Sequence, residues 1–368
     1  MKFEVVVVGG GPAGALAARS AAEEGAKTLL LERAPKRRPC CAGLVSPATA
    51  ERLGIPGHLI LREIRAVRVF SPQGQMVELR AKEVKGLVLD RAGLDCWLRE
   101  KAEEKGVEFW PLAATGLDRE KVFTPKGTVS FEVVVGADGA YSTVARAFGL
   151  PRPREILVAI QAEIRAELGD CVEVHLGVVP DFFAWAVPEK EGVAKVGLAT
   201  ALGREAFPLL RDFLEPKSEI LSIQTGLIPL GMPTKIAGDR CLLVGNAAGQ
   251  VKPLTGGGLA FLSLCAPLAG RVAARGPQAL SEYERDCRRM IGEEVSFQER
   301  ARSIFLRLKP EALEEMVQTL SHPKLANFLA ECADIDQFSS LPPKILARPQ
   351  LWPLLLPLTH WLSEWGLP

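Results

Sequence analysis

The chain has 368 residues, 48% of them hydrophobic, and balances 45 Lys plus Arg against 44 Asp plus Glu. A net charge of +1 gives no electrostatic footprint for nucleic acid, and the length suits two or more joined domains around a large core. No apolar run of about 18 residues suggests a membrane span, and the N-terminus lacks a signal-peptide pattern, so the expectation is a cytoplasmic protein with a small or apolar partner. The eight cysteines, Cys40, Cys41, Cys96, Cys171, Cys241, Cys265, Cys287 and Cys332, show neither C-x-x-C pairing nor zinc spacing. Most are read as buried thiols, and no metal site is expected.

In chain order, Glu4 to Val8 reads as a buried strand, Pro12 to Glu24 as an Ala-rich helix, and Lys27 to Leu31 as a second strand ending at Glu32. This is a βαβ start. The alternation from Arg65 to Lys82, with a turn at Ser71 to Gly74, predicts a hairpin, and a helix follows from Arg91 to Glu104. "FEVVVGADGAYSTVAR" then repeats strand, turn and helix. Between Ile156 and Leu230 short apolar runs separated by Gly, Pro and charged turns predict antiparallel strands. After Cys241 the strand-turn-helix pattern returns, and from Ser281 the chain is mainly helical.

The fold class expected is α/β, α+β overall: a Rossmann-like domain with an inserted antiparallel-sheet domain and a helical C-terminal region. The boundaries predicted are 1–64, 83–150 and 235–280 for the discontinuous Rossmann-like domain, 65–82 and 151–234 for the antiparallel-sheet domain, and 281–368 for the helical region.

Gly9, Gly11 and Gly14 fit G-x-G-x-x-G, and Glu32 stands eighteen residues beyond Gly14 at the end of the next strand. The glycines permit a tight turn, close approach of backbone to a pyrophosphate, and close helix packing. The helix start offers N–H groups and a positive dipole end to phosphates, and Glu32 suits ribose hydroxyls. Asp138 and Gly139 stand at a second strand-to-helix turn; Asp138 alternatively serves as a plain helix cap. "LLVGNAAGQVKPLTGGG" repeats the geometry with Gly245, Asn246 and Gly249, and five of the sixteen residues from Gly245 to Ala260 are glycine. A ligand meeting several strand ends must be long, which favours FAD over a nicotinamide nucleotide.

On "GGGPAG", "CAGLVSP" (Cys41 to Pro47), "LDRAGLD", "GADGAYSTVAR", "FAWAVP" and "GNAAGQVKPLTGGG", the chain resembles the flavin-dependent geranylgeranyl reductase family. That family lies within a larger class whose flavin domain is like that of p-hydroxybenzoate hydroxylase. The resemblance covers roughly residues 1 to 270. It implies cofactor contacts from Gly9, Gly11, Ala13, Gly14, Glu32, Arg33, Cys41, Ala42, Gly43, Arg91, Asp138, Gly139, Asn246, Gly257, Gly258 and Leu259. It also implies that "PLTGGG" passes close to the flavin ring, where glycine backbone and a helix start stabilise its reduced, negative form. Cys41 is then a candidate catalytic residue, shaping the ring's surroundings or delivering a proton, its alternative being a small packed thiol. His175, Phe182, Phe183 and Trp185 are candidate substrate contacts for a polyprenyl chain, with ordinary core as the competing role.

Three positions depart from the family pattern: Asn246 replaces an Asp, Phe183 a Tyr, and Val187 an aromatic residue. The activity implied is reduction of isolated C=C bonds of a prenyl lipid or quinone by hydride transfer from flavin N5. NAD(P)H or a protein donor such as ferredoxin supplies the electrons. The rival readings are a flavin monooxygenase acting on an aromatic or lipid substrate, and a flavin- or isoprenoid-binding protein without turnover. The Leu/Trp/Pro-rich tail "LWPLLLPLTHWLSEWGLP" is read as a core-closing or dimer segment, or as a peripheral membrane contact.

Overall fold

Val5 to Val8 are almost completely inaccessible to solvent, as a β-branched run must be when both sheet faces are covered. In the computed structural model, which describes residues 1–214 and 218–356, this strand is the centre of a five-stranded parallel sheet. The order is Cys241–Leu243, Val133–Gly136, Val5–Val8, Thr28–Leu31, Glu108–Trp110. These strands belong to the first of two units, made of residues 1–38, 91–156 and 227–295. Helix Pro12–Glu23 starts with Pro, whose missing N–H costs nothing at a first turn. Its Ala-rich surface packs against helices Leu259–Ala274 and Arg91–Glu103. At Gly270 a Cβ would lie 2.1 Å from the Ala17 carbonyl oxygen, so two helix backbones touch there. A three-stranded antiparallel sheet, Gly116–Leu117, Lys121–Thr124 and Gly127–Ser130, also belongs to this unit.

The second unit comprises 39–90, 157–226 and 296–368. It holds a seven-stranded sheet ordered Ile220–Leu230, Glu155–Arg165, Val193–Thr200, Ala184–Lys190, Cys171–His175, Ala66–Phe70, Met76–Arg80. The hairpin expected over 65–82 is present, Ala66 facing Arg80 and Phe70 facing Met76. Its junction to the rest departs from a wholly antiparallel expectation: Cys171–His175 pairs with Ala66–Phe70 in parallel. No short turn joins these distant segments, so no hairpin geometry imposes the antiparallel sense. One expected strand region contains a helix instead, Ala206–Phe213, because buried Ala206 and Leu210 recur at helical spacing. A small antiparallel sheet of Leu44–Val45, Gly86–Leu89 and Ile60–Ile64 packs Ile64 and Val88 against Val172 and Val187. Helix Pro310–Leu320 packs Leu313 and Val317 against Val77 and Leu176.

The thiols correct one expectation. Four are buried, Cys171, Cys241, Cys265 and Cys287, whereas Cys40, Cys41 and Cys332 are half-buried and Cys96 is exposed. Cys40 and Cys41 lie in the loop before Leu44–Val45, Cys332 is the last residue of helix Pro323–Cys332, and Cys96 faces outward on helix Arg91–Glu103. The tail reading falls largely on 357–368, outside the described residues.

The glycines make a paired prediction. Gly270→Ala should lower the free energy of unfolding by about 1–3 kcal/mol or more through overpacking. Gly292→Ala, in helix Leu280–Phe305 with no atom within 4 Å of its added methyl, should raise it by ~0.5–1 kcal/mol. Urea unfolding of the two variants reads both.

Candidate functional site

Three adjacent strands of the parallel sheet, Val5–Val8, Val133–Gly136 and Cys241–Leu243, deliver their carboxyl ends to the same edge, the place where open α/β sheets bind ligands. Gly9 turns there with φ +103°, and a Cβ on it would lie 2.3 Å from the Ala137 carbonyl oxygen. A Cβ on Gly14 would sit 1.8 Å from the Gly9 oxygen. Gly11, by contrast, faces open space, and the helix it begins carries no side-chain cap. The N–H groups of that first turn, Ala13 included, are therefore the free donors of a helix start.

Glu32 uses both carboxylate oxygens to shape this turn: Gly10 N–H donates to Oε2 and Ala34 N–H to Oε1, each at 2.7 Å. Each oxygen retains a second lone pair for a ribose hydroxyl. Arg99, not singled out in the sequence, is buried and donates to the carbonyls of Gly10 at 3.3 Å and Pro35 at 2.8 Å. It clamps the glycine turn from helix Arg91–Glu103; the signal available was an arginine two turns beyond Arg91 on the same helix. Arg91 itself is buried and bonds Asp95 at 2.8 Å. Arg33 is exposed.

Asp138 does two jobs. Its Oδ2 accepts from Thr143 N and Oγ1 at 2.7 Å and from Val144 N at 3.2 Å, so the capping role is real. Its Oδ1 is buried and has no protein partner. An unmatched buried carboxylate oxygen is costly, and a ligand hydroxyl would satisfy it. Gly139, at φ +86°, leaves open space beside it.

The third motif touches the first: a Cβ on Gly245 would be 2.7 Å from the Ala13 Cβ. Asn246 is exposed and donates to the Leu227 carbonyl at 3.4 Å, and its Oδ1 lies 3.8 Å from where a Gly258 Cβ would be. Gly257 and Gly258 lead into helix Leu259–Ala274, which also lacks a side-chain cap. Beneath this turn, Gly245 N–H donates to Gln250 Oε1 at 2.7 Å, and Gln250 Nε2 reaches Tyr283 Oη at 2.9 Å and Cys287 Sγ at 3.1 Å. Tyr283 donates onward to the Leu243 carbonyl at 2.9 Å. Burial pushes the Tyr283 phenol well above its usual ionisation, which keeps that donor protonated. Two uncapped helix starts, one half-engaged carboxylate and glycine backbone thus line one sheet edge.

The second unit carries the other predicted residues. Cys41 is half-buried, and its Sγ accepts from Gly43 N at 3.4 Å; Gly43 adopts φ +83°. Ala42 and Trp185 pack against the cluster of Ile64, Val88, Val172 and Val187. Phe182 is buried and stacks on Phe183 at 4.3 Å, and Phe183 meets Trp185 edge-on at 6.2 Å. The Trp185 indole Nε1 is buried without a partner. His175 pairs across the sheet with Ala184, whereas Val174 pairs with Trp185, so strand alternation places His175 on the face opposite Trp185. There it stacks on Phe70 at 4.4 Å and holds Glu173 at 3.2 Å, lowering that carboxyl's pKa. Among the described residues no group of His, Cys, Asp and Glu suits a metal ion, and no helix is long and apolar enough to cross a membrane.

Comparison with known proteins decides the family. The FAD dependent oxidoreductase family model matches residues 4–46, the glycine turn through the Cys41 loop. Digeranylgeranylglycerophospholipid reductase 1 of Methanothermobacter thermautotrophicus is 34% identical, covering 86% of this chain and 90% of that protein. The chain belongs to the digeranylgeranylglycerophospholipid reductase family. A second reductase of this family, from Methanopyrus kandleri, is 32% identical over 92% of this chain and 96% of its own length. In fold, the chain matches a geranylgeranyl bacteriochlorophyll reductase-like protein of Thermoplasma acidophilum with a TM-score of 0.83, 23% identity, and coverage of 98% and 99% of the two chains. The p-nitrophenol 4-monooxygenase of Pseudomonas putida gives 0.70 at 18% identity, covering 89% of this chain and 97% of its own, so the fold extends beyond the reductases. As a member of the family, the chain is an FAD-dependent oxidoreductase, and the donors and acceptor at the sheet edge fit FAD.

Asp138→Asn should leave the amide oxygen on the helix donors and present an NH2 where Oδ1 was, weakening FAD binding about tenfold or more while the apoprotein melts nearly as before. Asp138→Ala should also cost ~1 kcal/mol of stability through the lost cap. FAD titration by fluorescence quenching and thermal melts separate the two losses. Tyr283→Phe strands the Leu243 carbonyl and should cost about 1–3 kcal/mol, read from the same melts.

Proposed function

We propose that this chain saturates isolated C=C bonds in the prenyl chains of a glycerophospholipid-type substrate. The reading rests on the 34% identity, across 86% of this chain, to a protein named for reducing a digeranylgeranylglycerophospholipid. Bound FAD, reduced by a nicotinamide nucleotide or a ferredoxin-type protein, supplies the electron pair for each bond. The remaining work is done by the chain's own residues. The N–H groups of Gly11, Ala13 and Gly14 hold the pyrophosphate, Glu32 the ribose, and Asp138 Oδ1 with Asn246 the polyol chain. Gly257, Gly258 and the helix start at Leu259 direct backbone donors and a positive dipole end at the ring's electron-rich edge, favouring its reduced form.

An isolated alkene is a poor electrophile, so catalysis depends on holding it in a dry, fixed geometry. Phe183 and Trp185, continuous with apolar Val172 and Val187, supply a surface to which an isoprenoid binds by area alone. Cys41 is the proton donor to the second alkene carbon, with its thiol oriented by Gly43 N–H.

The test is anaerobic. Purified protein loaded with FAD should be bleached by dithionite and recoloured by a digeranylgeranyl glycerophospholipid, with mass spectrometry showing addition of H2 at successive bonds. Cys41→Ser should slow recolouring by roughly 10²-fold or more, the usual worth of a positioned proton donor. Recolouring only by oxygen, with an oxygen atom added to the lipid, would replace this reading with monooxygenation.

A further inference from the structure

Gln161 stands in the middle of strand Glu155–Arg165 and is completely buried, 0% exposed. A buried amide is destabilising unless bonded, so its presence among apolar neighbours calls for a role. Strand register places it directly opposite Gly197, which in turn is opposite Trp185, so all three share one face of the seven-stranded sheet. Gly197 makes the room: a Cβ there would lie 2.6 Å from the Gln161 Cβ and 2.7 Å from the Trp185 ring.

The Gln161 amide ends a directional chain. Glu163 accepts at Oε1 from Gln224 Nε2 and at Oε2 from Ser222 Oγ, both at 2.8 Å. With the Gln224 nitrogen bonded to the Glu163 carboxyl oxygen, the Gln224 amide oxygen is turned away from it. That oxygen receives Gln161 Nε2 at 2.7 Å, and the same nitrogen reaches the backbone carbonyl of Cys41 at 3.4 Å. Reversing the Gln224 amide would set its oxygen against the carboxylate, and reversing Gln161 alone would set oxygen against oxygen. Such chains polarise and stiffen their members. The neighbouring cysteine is tied to the same strands, Cys40 Sγ donating to the Gln224 carbonyl at 3.6 Å, while a Cβ on Gly226 would come within 2.9 Å of the Cys40 Cβ.

We infer that Gln161 is a positioning residue, oriented from Glu163 through Gln224, that fixes the Cys41 peptide and through it the direction of the Cys41 thiol. Held at its carbonyl by Gln161 and at its sulfur by Gly43, Cys41 has one orientation where an unanchored loop would have several. The consequence for turnover rests on the reading of Cys41 as proton donor; the consequence for the thiol does not.

The full-length FAD-loaded protein tests it with Gln161→Met, which keeps the volume and removes the amide, and Glu163→Gln, which removes the group that sets the chain's direction. Cys41 reactivity is read as the rate of iodoacetamide labelling by peptide mass mapping, beside the melting temperature, kcat and KM. In Gln161→Met, Cys41 labelling should change by about tenfold and kcat fall by about tenfold, the worth of one hydrogen bond, with KM for the lipid within about twofold. Glu163→Gln should move both in the same sense by a smaller factor, and it carries the test alone if Gln161→Met does not fold. Wild-type labelling in the folded variants overturns the inference, as does a full kcat in Gln161→Met when Cys41→Ser has lost turnover. Altered labelling together with full turnover in Cys41→Ser upholds the positioning and removes instead the role of Cys41 as proton donor.

Discussion

The carbonyl oxygen of Gly9 occupies the space that a side chain at Gly14 would need, the would-be Cβ lying only 1.8 Å away. That contact brings the first helix of the parallel-sheet unit down onto the turn that precedes it, and the rest of the cofactor edge follows. With the helix this close, Ala13 meets the Gly245 turn, and the helix start faces open space at Gly11. Arg99 and Glu32 then hold the turn from either side, one through carbonyls and the other through N–H groups. No single strong bond supports the arrangement. Steric exclusion sets it, and hydrogen bonds keep it from relaxing.

The mixed-sheet unit solves a different problem. Its apolar face is built from Val172, Val187, Trp185 and their neighbours, yet it admits a line of polar groups from Glu163 to Gln161. Polar side chains within an apolar layer are stable when their groups bond one another, and here Gln224 bridges the carboxylate to Gln161 Nε2, leaving only Gln161 Oε1 without a protein partner. The cost of burying them is offset by specificity of geometry at the Cys41 loop, which an all-aliphatic layer could not provide.

Much of the nucleotide-binding half was legible because its signals are local. A β-branched run, three spaced glycines, an Ala-rich helix and a terminal acid each reflect interactions within a few residues. Gly9 and Asp138 could be singled out for the same reason. What escaped the sequence depended on pairing between distant segments. The parallel junction of Cys171–His175 with Ala66–Phe70 has no turn to announce it, and the face occupied by His175 follows from register, which one-residue slips invert. Gln161 reads as one polar residue in "ILVAIQAEI", and only the arrival of Gln224 and Cys41 beside it gives it a task. Arg99 was likewise one charge on a charged helix until the glycine turn folded against it.

Asp138 divides its two oxygens between the helix that begins at Thr143 and the space beside Gly139. Folding and loading thereby share a residue, and by mass action whatever fills that space also tightens the helix behind it. An occupant that satisfies the second oxygen is therefore thermodynamically coupled to the Thr143–Phe148 helix behind it, so that filling the site and holding that corner of the fold together become one event.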